Sequence, residues 1–224
     1  MKNKLKILYE DNHIIVVIKD ENVLSQKDNT NDPDLLSELK VYIKEKYHKP
    51  GNVYLGLVHR LDRPTGGIMV FARTSKAAAR LSKQIRDKKM EKRYLALVEG
   101  SLEDKQGTFL DYLIKEGNNS YIVNNTVRGA QEAILSYQVL KEIDKLSLVE
   151  VFLKTGRHHQ IRVQFKAHGH PLYGDKRYGN ALKGDLHLYA YYLSFEHPVT
   201  KKQCTFINYP KGRLWDKFLK DKGE

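Results

Sequence analysis

The chain has 224 residues, with 39 Lys+Arg against 27 Asp+Glu and a formal net charge of +12. Hydrophobic residues at 41% and aromatics at 10% suffice for a core in one domain or two tightly joined subdomains, and exclude a disordered basic tail. A single cysteine, Cys204, excludes a disulfide-stapled scaffold, and the early apolar run Ile14–Ile18 is far too short for a membrane span. The expectation is a soluble cytoplasmic protein with no membrane partner.

The basicity is local. Residues 59–93 hold eleven Lys/Arg and three Asp/Glu, a net of +8, and residues 154–178 hold six and one, a net of +5. Together they exceed the whole-chain excess, so the remaining residues are close to neutral. A pI near 9.5 admits a polyanionic partner without requiring one.

In chain order, residues 5–9 and 14–18 read as a hairpin turning through Glu10-Asp11-Asn12-His13. Asp32-Pro33 offers an N-cap and a first-turn proline for a helix carrying Leu35, Leu36, Leu39, Ile43 and Tyr47, which stops at Pro50-Gly51. Residues 55–61 and 68–71 read as strands, separated by Arg63-Pro64-Thr65-Gly66-Gly67. Thr74 or Ser75 caps a helix reaching about Lys89, and Tyr94–Val98 is a strand. From Gly107 to Val151, strands alternate with turns at Gly117-Asn118-Asn119 and near Asp144. A helix spans about His158–His168, with Gly169 beyond its end. Two more strands, near 186–195 and 204–208, precede a short helix around 214–219. The fold class is mixed α+β with a largely antiparallel sheet flanked by helices. No repeat, linker or composition break divides residues 1–224, so the reading is a single catalytic-sized domain.

The segment His59-Arg60-Leu61-Asp62-Arg63-Pro64-Thr65-Gly66-Gly67 carries the most chemistry. If a strand runs through residue 62, period-two alternation puts Arg60 and Asp62 on one face. Neighbouring arginines favour the ionised carboxylate, which suits a nucleophile or an anchor better than a general acid. The residue types fit a surface Arg–Asp pair at a strand end equally well. In Thr155-Gly156-Arg157-His158-His159-Gln160-Ile161-Arg162, helical spacing puts Ile161, Phe165 and His168 on a core stripe. It puts Arg162 on a polar face with His158 and Lys166, facing either solvent or an anion.

His158, His159, His168 and His170 do not make a metal site by this reading. The first two point apart as neighbours, His168 sits on the buried stripe, and no pair has the His-x-x-x-His spacing. Lys92-Arg93-Tyr94 places an aromatic ring beside cations on a strand, which suits either a stacked base or a core tyrosine. No Walker loop, dinucleotide fingerprint or Gly-x-Ser-x-Gly elbow is present.

Four segments in order resemble the RluA-type family of RNA pseudouridine synthases. They are residues 59–67, the Lys92-Arg93-Tyr94-Leu95-Ala96-Leu97-Val98-Glu99-Gly100 strand, residues 155–175 from Thr155-Gly156-Arg157 to Tyr173-Gly174-Asp175, and His187-Leu188-Tyr189-Ala190 with Phe195-Glu196-His197-Pro198. The resemblance spans roughly residues 5–210. It implies the pseudouridine synthase fold, two fused subdomains with a central RNA-binding cleft, and isomerisation of uridines in structured RNA such as an rRNA or tRNA stem-loop. It makes Asp62 the catalytic carboxylate. Tyr94 stacks on the uracil, Leu188 lines its pocket, Arg162 pairs with Asp62, and Arg60 helps expel the uridine from its stack. Neither metal nor organic cofactor is implied.

From the two basic windows, Arg63, Arg73, Arg80, Lys88 and Arg157 are the candidates for RNA backbone contacts. The expected state is a monomer without a separate N-terminal RNA-binding module. One departure stands out. Where many relatives carry Asn-Lys-Pro-x-Gly, this chain reads Val17-Ile18-Lys19-Asp20-Glu21, keeping the lysine but neither proline nor glycine. A non-catalytic RNA-binding protein that has kept the fold is the competing account.

Overall fold

The computed structural model describes residues 5–30, 32–180 and 184–220. In chain order the elements are β1 (Lys6–Glu10), β2 (Ile14–Lys19), α1 (Leu35–Lys46), β3 (Gly56–Leu57), β4 (Gly66–Ala72), α2 (Ser75–Arg86) and β5 (Glu91–Glu99). There follow β6 (Gln106–Glu116), β7 (Asn119–Val123), β8 (Gln131–Ile143), β9 (Leu146–Leu153), α3 (Gln160–Ala167), β10 (Leu188–Glu196), β11 (Gln203–Ile207) and α4 (Arg213–Leu219). The mixed α+β class expected from sequence holds, with antiparallel ladders throughout the registered strand pairs. The chain divides into two compact units. The first runs up to Glu91 and resumes at Ala190–Asn208; the second is Lys92–Tyr189 plus the stretch from Tyr209 onward.

The first unit is built on strands ordered β1-β2-β4-β10, with β11 paired to β10 and β3 to β4. β2 is buried at Ile14, Ile15, Val16 and Val17, because a strand covered on both faces takes a continuous apolar run. Ile14, Val16, Ile68 and Val70 pack on Ala77 and Leu81 of α2 and on Leu193 and Phe195. The β1–β2 turn is made by Asp11, whose Oδ1 accepts the N–H groups of His13 and Ile14, both at 2.8 Å. Its Oδ2 meets Nε2 of buried His197 at 2.9 Å. At Gly67, where φ is +131°, an added Cβ would lie within 2.4–2.7 Å of the Ala190 backbone, so β4 and β10 close together only on a glycine.

Helix α1 starts later than the sequence suggested. Its N-cap is Asp34, whose carboxylate accepts Ser37 N–H at 3.0 Å, so Asp32 and Pro33 both precede the helix. Asp32 instead pairs with Arg63 at 2.6 Å. Leu35, Leu39 and Ile43 form the buried stripe, and Tyr47 is an exposed C-cap. Helix α2 starts as read, with Thr74 accepting Ala77 N–H at 3.1 Å.

The second unit is an antiparallel sheet in the order β5-β9-β8-β6-β7. Asp144 and Lys145, both with positive φ, make the two-residue turn between β8 and β9. Helix α3 is shorter than expected. His158 and His159 form the turn before it, with His159 in the left-handed region as N-cap. Gly169, at φ +85°, lies just beyond its C-cap His168. Val163 packs with Leu113, Ala133 and Tyr178, while Phe165 meets Phe109 and Tyr137 edge-on.

Candidate active site

In the first unit the loop between β3 and β4 carries the His59–Gly67 segment. A strand through Asp62 is not what forms. β3 stops at Leu57, so strand alternation does not relate Arg60 to Asp62. The reason lies in the side chains that take over the loop's backbone groups. Ser25 Oγ donates to Leu61 O at 2.8 Å and accepts Leu61 N–H at 3.3 Å. Lys19 Nζ donates to Arg63 O at 3.0 Å, and His59 Nε2 accepts Val70 N–H at 3.0 Å. Thr65 N–H closes on Asp62 O at 3.0 Å, and Leu61 is buried as an anchor. The result is a pinned turn with Asp62 half-buried at its start and Arg60 and Arg63 exposed.

Lys19 is the part of this loop that sequence reasoning left without a role. Its side chain is fully buried, and its ammonium also donates to Val23 O at 2.6 Å and Asp20 O at 3.0 Å. Burial brings its pKa down to about 7, against the upward pull of Asp62, Asp20 and Glu21. A lysine closing an otherwise apolar strand run was the available signal. Thr65 is also buried, and its Oγ1 has no hydrogen-bond partner among the described residues.

In the second unit Tyr94 is buried on β5 opposite Val151. Its neighbour Arg93 lies 3.6 Å from Glu150 and over the Phe152 ring. Arg162 does not face solvent. It is 5% exposed, and its Nε and Nη2 hold both oxygens of Asp175 at 2.7 and 2.8 Å. Asp175 also accepts the backbone N–H groups of Arg177 and Tyr178. Burial works against this carboxylate's charge, but Arg162's hydrogen bonds and charge hold its pKa below the usual value. Of the two readings of Arg162, the solvent-facing one fails, because all six residues from Gln160 to Phe165 are buried, and the anion-facing one holds, the anion being the buried Asp175 carboxylate. Asp175, the only acid in the basic window 154–178, was the overlooked cue.

The Arg162 guanidinium also lies over the Tyr178 ring, 5.1 Å from its centroid. Tyr178 OH accepts Ser120 N–H at 2.9 Å and contacts His159 Nδ1 at 2.7 Å. His158 and His159 do not point apart: their rings stack at 3.7 Å, and His158 Nδ1 meets Ser120 Oγ at 2.9 Å. His168 is exposed rather than on the core stripe, stacked on Phe109 and 3.2 Å from Asp111. Leu188, the first residue of β10, is buried.

The candidate RNA-backbone cations differ in availability. Arg73 is largely buried, bonded to Glu10 at 3.0 Å and laid over Tyr47. Arg63 is held by Asp32, Arg80 donates to Pro198 O at 2.8 Å, and Arg157 Nε donates to Glu132 O at 2.8 Å. Lys88 is exposed, with no ion pair among the described residues; the same is true of Lys76, Arg86 and Lys89 around it. Among the described residues no three His, Cys, Asp or Glu side chains group as metal ligands, and no helix is long and apolar enough to cross a membrane.

The sequence that carries these residues falls within a recognised family. The family model described as RNA pseudouridylate synthase matches residues 13–167, so the chain belongs to that family. It is 36% identical over 208 residues to an uncharacterized RNA pseudouridine synthase of Mycoplasma pneumoniae, covering 90% of this chain and 65% of that relative's own length. The chain thus spans about two thirds of that protein. It is 33% identical over 207 residues to the dual-specificity RNA pseudouridine synthase RluA of Pasteurella multocida, covering 90% of this chain and 91% of that one. The solved structure of human RNA pseudouridylate synthase domain containing 4 superposes with a TM-score of 0.80 at 22% identity, covering 96% of this chain and 92% of that one, a likeness of fold.

Proposed function

We propose that this protein isomerises specific uridines in structured RNA, an rRNA or tRNA stem-loop, to pseudouridine, with Asp62 as the catalytic carboxylate. The observation that carries this reading is Asp62 itself, held on a turn pinned by Ser25, Lys19 and Thr65 within the region matched by the family model. A surface Arg–Asp pair would need no such clamping.

The reaction breaks the bond between uracil N1 and ribose C1′, turns the base and joins C5 to C1′. The proton lost from C5 is balanced by one gained at N1, so every atom is retained and no second substrate or redox partner is required. Asp62 can attack C1′, giving a covalent sugar–enzyme intermediate as in retaining glycosidases, or take the 2′ proton to give a glycal. Both routes use the same carboxylate. Tyr94 is assigned to the face of the uracil, Leu188 to its edge, and Arg162, braced by Asp175, to the carboxylate. Arg60, exposed and with no ion pair among the described residues, would fill the stack from which the uridine leaves. That extrusion costs a few kcal/mol, which phosphate contacts offset. The enzyme is proposed to act as a cytoplasmic monomer without cofactor.

The test is carbodiimide mapping of cellular RNA with and without the gene, followed by rescue with wild type or Asp62→Asn. Pseudouridines lost on deletion should return with the wild type alone. Return with Asp62→Asn overturns the role of Asp62, and no pseudouridine lost on deletion favours a binding protein.

A further inference from the structure

Lys92 has no role in the fold as described. It is the second residue of β5 and half-buried, and its ammonium makes no hydrogen bond or ion pair among the described residues. Burial depresses its pKa, and no neighbouring charge offsets the effect. Lysines removed from water are ordinarily paired, as Lys19 is through three carbonyls, because an unpaired buried charge is costly. Next along the strand, Arg93 is served by Glu150 and Phe152, which makes the contrast local.

Two features say what would complete Lys92. A Cβ placed on Gly156 would lie 3.8 Å from Lys92 Nζ, so the loop leading to α3 passes the ammonium at a residue with no side chain to cover it. That loop brings Lys154 and Arg157, both exposed, and no acid between residues 154 and 174, so it offers the ammonium further cations and no carboxylate. Lys92 and Tyr94 also leave the same face of β5, about 6.6 Å apart along the strand. A ligand whose base lies on Tyr94 would therefore bring its backbone past Lys92.

We propose that Lys92, beside Gly156, is the binding residue for an RNA phosphodiester next to the uridine stacked on Tyr94. This rests on the RNA-modifying reading above. The substrate supplies the partner that the ammonium lacks among the described residues, and a compact donor suits a single phosphate oxygen.

The experiment measures binding of a ten-residue oligouridylate to the intact protein against potassium chloride concentration, for wild type, Lys92→Gln and Lys92→Arg. Lys92→Gln should weaken binding about tenfold at low salt and flatten the log–log salt slope by about 0.7, the loss of one phosphate contact on a single strand. Lys92→Arg should keep the slope. Thermal melts of Lys92→Gln should match or exceed wild type, since an unpaired charge has been removed.

An unchanged slope in Lys92→Gln, no binding by wild type, or a clear loss of stability in Lys92→Gln would each overturn the assignment, the last by making the lysine structural. Inorganic phosphate that displaces the oligouridylate at equal affinity would point to a free-anion site instead, and also overturn it. These readouts need no catalysis. A wild-type protein that forms no pseudouridine but shows the Lys92-dependent slope would sink the enzymatic reading and leave this one standing.

Discussion

The loop around Asp62 and the start of α3 around Arg162 both place a charged group, but they restrain it differently. At Asp62 the restraint falls on the backbone: Ser25 takes both polar groups of Leu61 and Lys19 takes the carbonyl of Arg63, while the Asp62 side chain stays half-buried. At Arg162 the restraint falls on the side chain, gripped by both oxygens of a fully buried Asp175. In the role proposed for Asp62, a reacting group needs a fixed position with its functional atoms available, which restraint through the main chain provides. A group that orients another needs its own atoms fixed, so it is held through its tip.

The contrast can be broken most severely at the ion pair. Arg162→Met leaves Asp175 buried without its partner and should cost about 3–5 kcal/mol, read as a large fall in the thermal midpoint. Asp62→Asn in the same assay should barely move it.

Lys19→Met tests the main-chain side. Carbonyls of Asp20, Val23 and Arg63 lose their donor, of which the neutral amine at pH 9 serves two at a time, and the loss should cost about 1–3 kcal/mol at pH 9 and less at pH 6. The sign follows from the titration. The folded ammonium titrates at about 7, against 10.5 for its unperturbed value, so between these values the unfolded chain holds more protons. The stability that Lys19 contributes therefore rises with pH through that window and is flat below it. Denaturant unfolding of wild type and variant at several pH values should show the difference between them climbing from pH 7 to pH 10.

Ser25→Ala should cost about 1–2 kcal/mol, since both polar groups of Leu61 lose a partner. Its sharper signature is a fall in kcat larger than the stability loss predicts, because the loop loosens while Asp62 remains. Equal kcat would mean that Ser25 supports the fold alone.

The smallest effect separates available cations from engaged ones. Arg86→Gln with Lys88→Gln should flatten the salt slope of RNA binding by up to about 0.9 per phosphate contact. Arg73→Gln should leave the slope unchanged and lower stability instead, because its partner Glu10 is buried with it.

Much of the frame was legible because local chemistry decided it. Asp11 and the apolar runs on either side specify the first hairpin, Thr74 starts α2, and Gly117-Asn118 and Asp144-Lys145 turn the second sheet. Residues 55–62 were misread because alternation cannot show that Ser25 and Lys19, dozens of positions away, satisfy the backbone there. The choice between solvent and an anion for Arg162 stayed open for a related reason. Six consecutive buried residues keep Arg162 from solvent, and its charge is met by Asp175 from outside the helix. The order of segments pointed to the residues of interest, while the contacts that hold them are long-range and have no periodic signature.

The division of the first unit into two stretches of sequence also bears on how the protein is made. Its strand β4 is complete at Ala72, yet Ala190 and the rest of β10 that lie against it follow about 100 residues after Glu91. At ribosomal speeds of roughly 5–20 residues per second, that edge waits on the order of 5–20 seconds for its neighbour. The β5–β9 segment emerges meanwhile and can fold first. The Asp62 turn, mounted on β4, thus gains its finished support only after residues 92–189 have been synthesised.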